Sequence, residues 1–269
     1  MIVDFHAHIY PNKIADNATK AIGDFYNAPM FYNGHPEQLI ESGSKIGVTH
    51  YVVHSVATKP MQVESINNFI LSEMEEHPEF IGFGTIHPDY DKFEDEMNRM
   101  VTTGLHGIKI HPDFQKFHVY SPRMDAIYEL ATELKLPVLV HAGDIRYDFS
   151  GPSRIKNVLQ KHPHLTLIAA HFGGYTQWDD AIDYLVGEND YFDTSSSLWK
   201  LPVDKANHMI KTHGVDKFLF GSDFPMWDHE DEFERFNKLD LSGENREMVL
   251  YKNAERLLGM KLEEPTPKD

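Results

Sequence analysis

Eight short, β-rich apolar runs that alternate with segments of helical periodicity predict an α/β protein of the (β/α)8 TIM-barrel class. Three observations carry that expectation. From the second run onward the runs start roughly 25 to 32 residues apart, the length of one strand-plus-helix unit. The segments between them place apolar residues at helical spacing and stop at a proline. A chain of 269 residues suits a closed barrel formed as one domain over 1–269, with a longer first βα segment at about 10–47.

The predicted strands, in order, are Ile2–His8, Val48–Ser55, Phe80–His87, Gly107–His111, Pro137–Gly143, Leu165–Gly174, Tyr191–Ser196 and Lys217–Pro225. Between them, VESINNFILSEMEEHP, SPRMDAIYELATELKLP and IKNVLQKHP read as amphipathic helices. Near the end, Ser242 is placed as an N-cap before ENREMVLYKNAERLLG, with Gly259 as the stop. Between the first two strands, NAPMFYNGHPEQL suggests an extra helix and a loop that covers substrate. The tail at 263–269 is expected to be disordered.

Composition narrows the chemistry. With 25 Lys and Arg against 42 Asp and Glu, the net charge is −17, which argues against nucleic acid and anionic membrane as partners and leaves a small-molecule substrate. There is no cysteine, hence no disulfide, thiolate nucleophile or cysteine-held metal. No basic leader and no run of about 18 apolar residues is present, so a soluble, cytoplasmic protein is expected. A homodimer is expected as for many barrels.

The ends of the predicted strands carry the functional signal, because a βα barrel presents its active site there. His8, His54, His87, His111, His141 and His171 close the first six and Asp223 the last. His6 and His8 alternate with Ala7, so their side chains share one face about 7 Å apart along the backbone and can converge on one ion. The competing reading of an isolated His-x-His is two buried, hydrogen-bonded histidines. His141, His171 and Asp223 on three further strands favour a divalent metal, with His141 and Asp223 completing the ligands and Asp4 orienting a ligand imidazole.

DFHAHIYP, VLVHAG, AAHFGG and GSDFP, in this order and spacing, resemble the amidohydrolase superfamily, in particular the amidohydrolase-2 branch that includes aminocarboxymuconate-semialdehyde decarboxylase. The resemblance runs from Asp4 to NAERLLG. It implies a (β/α)8 barrel, a divalent metal held by His6, His8, His141 and Asp223, and His171 as the acid/base residue. In related branches a carboxylated lysine on the fourth strand bridges two metals; Lys109 stands on that strand, so a second metal is expected only if Lys109 is carboxylated.

The expected activity is hydrolysis of a small organic substrate by water activated on one metal, Zn²⁺ with Mn²⁺ as the alternative. His171 and Asp223 would move protons. The second expectation is non-oxidative decarboxylation of an unsaturated or aromatic acid. Lys109, His111 and Arg146 are the candidate substrate contacts, Arg146 having a surface pair with Asp144 or Asp148 as its competing role. Asp223 has an N-cap as its competing role. His54 and His87 are assigned to the barrel mouth, Trp199 to a pocket wall, and His162 and His164 to solvent on the opposite rim. A metal-dependent deoxyribonuclease is disfavoured by the acidic balance and by Lys109. A catalytically dead sensor is disfavoured because all five metal and proton-transfer positions are filled.

Overall fold

The computed structural model describes residues 1–263; most of the tail expected to be disordered, 264–269, lies outside the described residues. Eight parallel strands, β1 (Val3–His8), β2 (His50–His54), β3 (Phe80–Thr85), β4 (Gly107–Ile110), β5 (Val138–Val140), β6 (Leu167–Ala169), β7 (Tyr191–Asp193) and β8 (Phe218–Leu219), pair in chain order. The last returns to the first. Phe5 N–H donates to Phe220 O at 2.8 Å, Asp223 N–H to His6 O at 2.8 Å, and Ala7 bridges Phe224 in parallel. The result is the expected (β/α)8 barrel, and among the described residues no helix is long and apolar enough to cross a membrane.

Side-chain alternation sorts the strands into two apolar layers. Val3, Phe5, Val52, Ile81, Phe83, Leu139, Ile168 and Leu219 form one cluster inside the barrel, with Phe5 edge-on to Phe83 at 5.7 Å. Their neighbours Val53, Val138, Val140, Leu167 and Ala169 face outward against the helices. In β1 the register slips between Asp4 and Ala7. That irregularity reconciles Phe5 inside the lower barrel with His6 and His8 inside its mouth, since an extra residue switches which side chains face in.

The first βα segment holds two helices, α1 (Asn12–Tyr26) and α2 (Pro36–Ser44). The strongly periodic segments become α3 (Val63–Glu76), α4 (Phe93–Thr103), then, after the single turn α5 (Pro112–Gln115), α6 (Asp125–Glu133) and α7 (Pro152–Lys161). α8 (Trp178–Tyr184), α9 (Val203–His213) and α10 (His229–Phe236) complete the shell. The final helix is broken: α11 (Gly243–Glu247) passes through a π turn at Met248–Lys252 into α12 (Asn253–Leu258). Ser242 occupies the N-cap position without a capping bond, and Gly259, at φ 64°, ends the helix as expected.

Most strands stop earlier than their apolar runs suggest. His171, Ser196 and Asp223 have φ of 62°, 46° and 60°, a left-handed backbone that a β ladder cannot continue. These strand exits become the loops of the mouth. His162 corrects an expectation: it is buried, with its Nε2 3.0 Å from Asp125 Oδ1, because α7 ends against α6 there. His164 is exposed, as anticipated.

Candidate metal centre and active site

At the mouth, β1 and the exit of β8 bring three donor atoms into a near-equilateral triangle. His6 Nε2 stands 3.3 Å from His8 Nε2 and 3.4 Å from Asp223 Oδ1, and His8 Nε2 stands 3.5 Å from the same oxygen. Ligands about 2.1 Å from a tetrahedral ion are separated by about 3.4 Å, so the triangle has the dimensions of three corners of a metal site. Gly221 permits this approach, since a Cβ there would lie 2.9 Å from His6 Cβ.

The electrostatics point the same way. His6 Nδ1 lies 2.8 Å from Asp193 Oδ2, which favours the tautomer that leaves the Nε2 lone pair facing the triangle. Burial lowers the pKa of His6, His8 and His171, keeping the imidazoles neutral. For Asp223 burial acts upward, but His6, His8 and His171 outweigh it and hold the carboxyl well below the usual carboxylate range. Lone pairs and a carboxylate therefore share one buried spot, an arrangement that a cation relieves. Lys109, also fully buried, places Nζ 3.2 Å from His6 Nε2, and burial lowers its pKa to about 8.

His171 lies beside this cluster, its ring stacked on His6 at 5.1 Å. Its Nδ1 is 2.9 Å from Ser195 Oγ, and its Nε2 is 3.0 Å from His141 Nδ1. Asp193 organises the group from beneath: besides His6 it accepts the backbone N–H of His171 at 3.0 Å and of Ser195 at 3.1 Å. The remaining Asp223 oxygen accepts from Ser196, whose Oγ also accepts Trp227 Nε1 at 2.8 Å. Asp223 is thus no N-cap; Asp228 caps α10, accepting from Glu230 and Asp231 N–H.

Across the mouth the rings are packed. His111 lies between Phe114 and His141, at 3.7 and 3.9 Å between ring centres and nearly parallel to both. Tyr26, the last residue of α1, bonds His111 Nε2 at 2.9 Å. His141 Nε2 faces Asp113 Oδ2 at 3.7 Å, and burial raises the Asp113 carboxyl to about 7. A narrow cleft lined by His8, His111, His141, His171 and Asp223 opens between the two sides, with Tyr26 and Met30 over it. The open groove outside α1, along Asp16, Lys20 and Asn33, shares Met30 with the cleft but holds none of its histidines nor Asp223.

Several expected residues sit differently. Asp4 does not touch the His6 ring; it accepts His6 N–H at 3.1 Å and Ser222 Oγ at 2.6 Å and pairs with His229 at 2.9 Å, so it braces the backbone of β1. Arg146 is taken up by the Asp144 carboxylate, at 2.6 Å from Nη2 and 3.0 Å from Nε, and donates to Phe25 O at 2.6 Å. Its Nη1 bond to Phe25 O ties the β5 loop to α1. Trp199 is exposed and stacks on Trp227 at 5.9 Å, away from the cleft lining. Asp193, Asp113 and Ser195 were not singled out from sequence, although Asp193 closes β7 as His8 closes β1 and the same strand-end rule applies to it.

The amidohydrolase family model matches residues 3–260. No curated protein matches the sequence. Among solved structures, a dihydroxybenzoic acid decarboxylase from Polaromonas with bound manganese and the inhibitor 2-nitroresorcinol superposes with a TM-score of 0.75 at 14% identity, covering 96% of each chain. The 5-carboxyvanillate decarboxylase from Sphingomonas paucimobilis gives 0.74 at 12% identity over 97% of this chain and 99% of that one. A probable 2-pyrone-4,6-dicarboxylic acid hydrolase from Acinetobacter baumannii, with citric acid bound, gives 0.72 at 17% identity over 96% and 99%. At these identities the structures show the shared barrel, and the family model supplies the membership: this chain belongs to the amidohydrolase family and is an enzyme of that superfamily.

Proposed function

We propose that this chain is a metal-dependent hydrolase that uses one divalent cation to activate water against a small organic substrate. The observation that carries this reading is the triangle of His6 Nε2, His8 Nε2 and Asp223 Oδ1, with edges of 3.3, 3.4 and 3.5 Å. His6, His8 and Asp223 hold the cation, with His141 as the fourth ligand. When bound, the metal supplies a Lewis acid and brings the pKa of a water from about 15.7 to roughly 7. Zn²⁺ suits this nitrogen-rich set, and Mn²⁺ is the alternative.

His171 is neutral and lines the cleft, so its imidazole accepts a proton during attack and returns it to the leaving group, while Ser195 holds its orientation. Asp223 shares that proton traffic. His111 lines the cleft and meets substrate; Lys109, behind that lining, acts on substrate from beside His6, and Arg146 serves substrate binding through the α1 segment that it anchors. If Lys109 were carboxylated it would bridge a second cation. A freely diffusing substrate in the cytoplasm and a homodimeric assembly complete the proposal.

Decarboxylation is the second reading, favoured by the cleft lining. Among the described lining residues there is no lysine or arginine, so a substrate carboxylate entering the cleft meets imidazoles, Asp223 and the cation. Elemental analysis of protein purified without added metal, followed by turnover of lactones, amides and hydroxylated benzoic acids with CO₂ detection, tests both. One metal per chain and hydrolysis without CO₂ support the first reading; CO₂ release replaces it with the second. No metal after reconstitution overturns both.

A further inference from the structure

His54 ends β2 and is completely buried, yet neither of its ring nitrogens has a hydrogen-bond partner. A neutral imidazole carries one donor and one acceptor, and buried polar atoms are rarely left without partners. The ring lies edge-to-face against His8 at 4.4 Å and against His6 at 5.0 Å. One nitrogen from each of the three rings falls within 4.8 Å of the other two. Ligands on opposite sides of a cation about 2.1 Å away stand about 4.2 Å apart, so a small ring adjustment brings His54 into the same coordination sphere.

We infer that His54 is a further metal ligand, joining His6, His8 and Asp223 from the second strand. The inference rests on the metal centre proposed above and enlarges it. The ion takes up one of the two buried, unpartnered nitrogens of His54, and β2 is thereby tied to β1 and β8 at the mouth. With His141 the chain offers five donors, more than a tetrahedral site accepts. Such a set favours five-fold coordination over the four-coordinate geometry.

The test is Co²⁺ titration of the apoprotein, read by affinity and by visible absorption, whose intensity is low for five- or six-coordinate Co²⁺ and high for four-coordinate Co²⁺. Wild type, His54→Ala, His54→Gln and His6→Ala are compared, the glutamine variant keeping bulk in case the alanine variant does not fold. Loss of His54 should weaken Co²⁺ at least ~10-fold and intensify the absorption. Unchanged affinity and spectrum in a folded His54 variant, with binding abolished by His6→Ala, overturn the role of His54 and leave the metal centre standing. Wild-type protein that binds no Co²⁺, or binding that survives His6→Ala, overturns the metal centre and the inference with it.

Discussion

The two sides of the barrel mouth are built on opposite terms. On the β1–β2–β8 side, nitrogens of His6, His8 and His54 and the Asp223 carboxylate converge on one region beside Lys109 Nζ. On the β4–β5 side, His111 and His141 lie flat on one another, and Tyr26 ties His111 to α1. The first side leaves both His54 nitrogens without partners, and the second is close-packed by stacked rings around the equally unpartnered His141 Nε2 and Asp113 Oδ1. Three of the proposed ion ligands thus stand on one side and the stacked rings on the other, with His141, the proposed fourth ligand, on the packed side and His171 touching both sides.

The strongest way to break this contrast is His6→Ala, expected to remove bound metal and reduce turnover to background, read by elemental analysis and an activity assay. If His6→Ala kept its metal, the ion would have to sit elsewhere. His171→Asn should retain one metal per chain while turnover falls about 10²- to 10⁴-fold, the span for losing a positioned acid/base group. Full turnover in that variant would remove His171 from the chemistry. Asp193→Asn should cost about 10- to 100-fold in metal affinity, because the His6 ring loses its orienting carboxylate. Tyr26→Phe acts on the packed side alone and should raise KM with metal affinity unchanged, losing about 1 kcal/mol from one hydrogen bond.

A histidine at the foot of the barrel sharpens the contrast with the smallest effect. His213 lies flat on Phe192 at 4.2 Å, its Nδ1 accepts Gly187 N–H at 3.1 Å, and its Nε2 donates to Asp190 O at 2.9 Å. Both nitrogens are satisfied in one neutral tautomer, and burial lowers its pKa from 6.5 to about 4. The folded pKa lies below the unfolded one, so its stabilisation is complete above pH 6.5 and declines as pH falls toward 4. The decline is at most a few kcal/mol, at about 1.4 kcal/mol per unit. Unfolding free energy measured across that window should lose this component of its slope in His213→Gln. An unchanged slope would show that His213 is free to protonate in the folded protein.

Much of this was legible along the chain because barrel geometry couples sequence position to place: a residue at a strand's C-terminal end must stand at the mouth. His6, His8, His141, His171 and Asp223 all reach it. The partners of those residues were not legible. Asp193 and Ser195 act on His6 from nearly the opposite end of the sequence, and the role expected of Asp4 passed to Asp193 because Asp4 is drawn to Ser222 and His229. Arg146 had two chemically reasonable destinations, and Asp144, two residues earlier, offered the bidentate one.

By itself the sequence determined the barrel, its strand order and the kinds of donor at its mouth, because periodicity and strand-end chemistry are local properties that survive without knowledge of contacts. Only the tertiary structure decided which nitrogen faces which oxygen. That depends on the register slip in β1, the left-handed exits at His171, Ser196 and Asp223, and the buried partners that set each tautomer. Those features arise where segments distant in sequence compete for the same buried space, and no local pattern encodes the outcome of that competition.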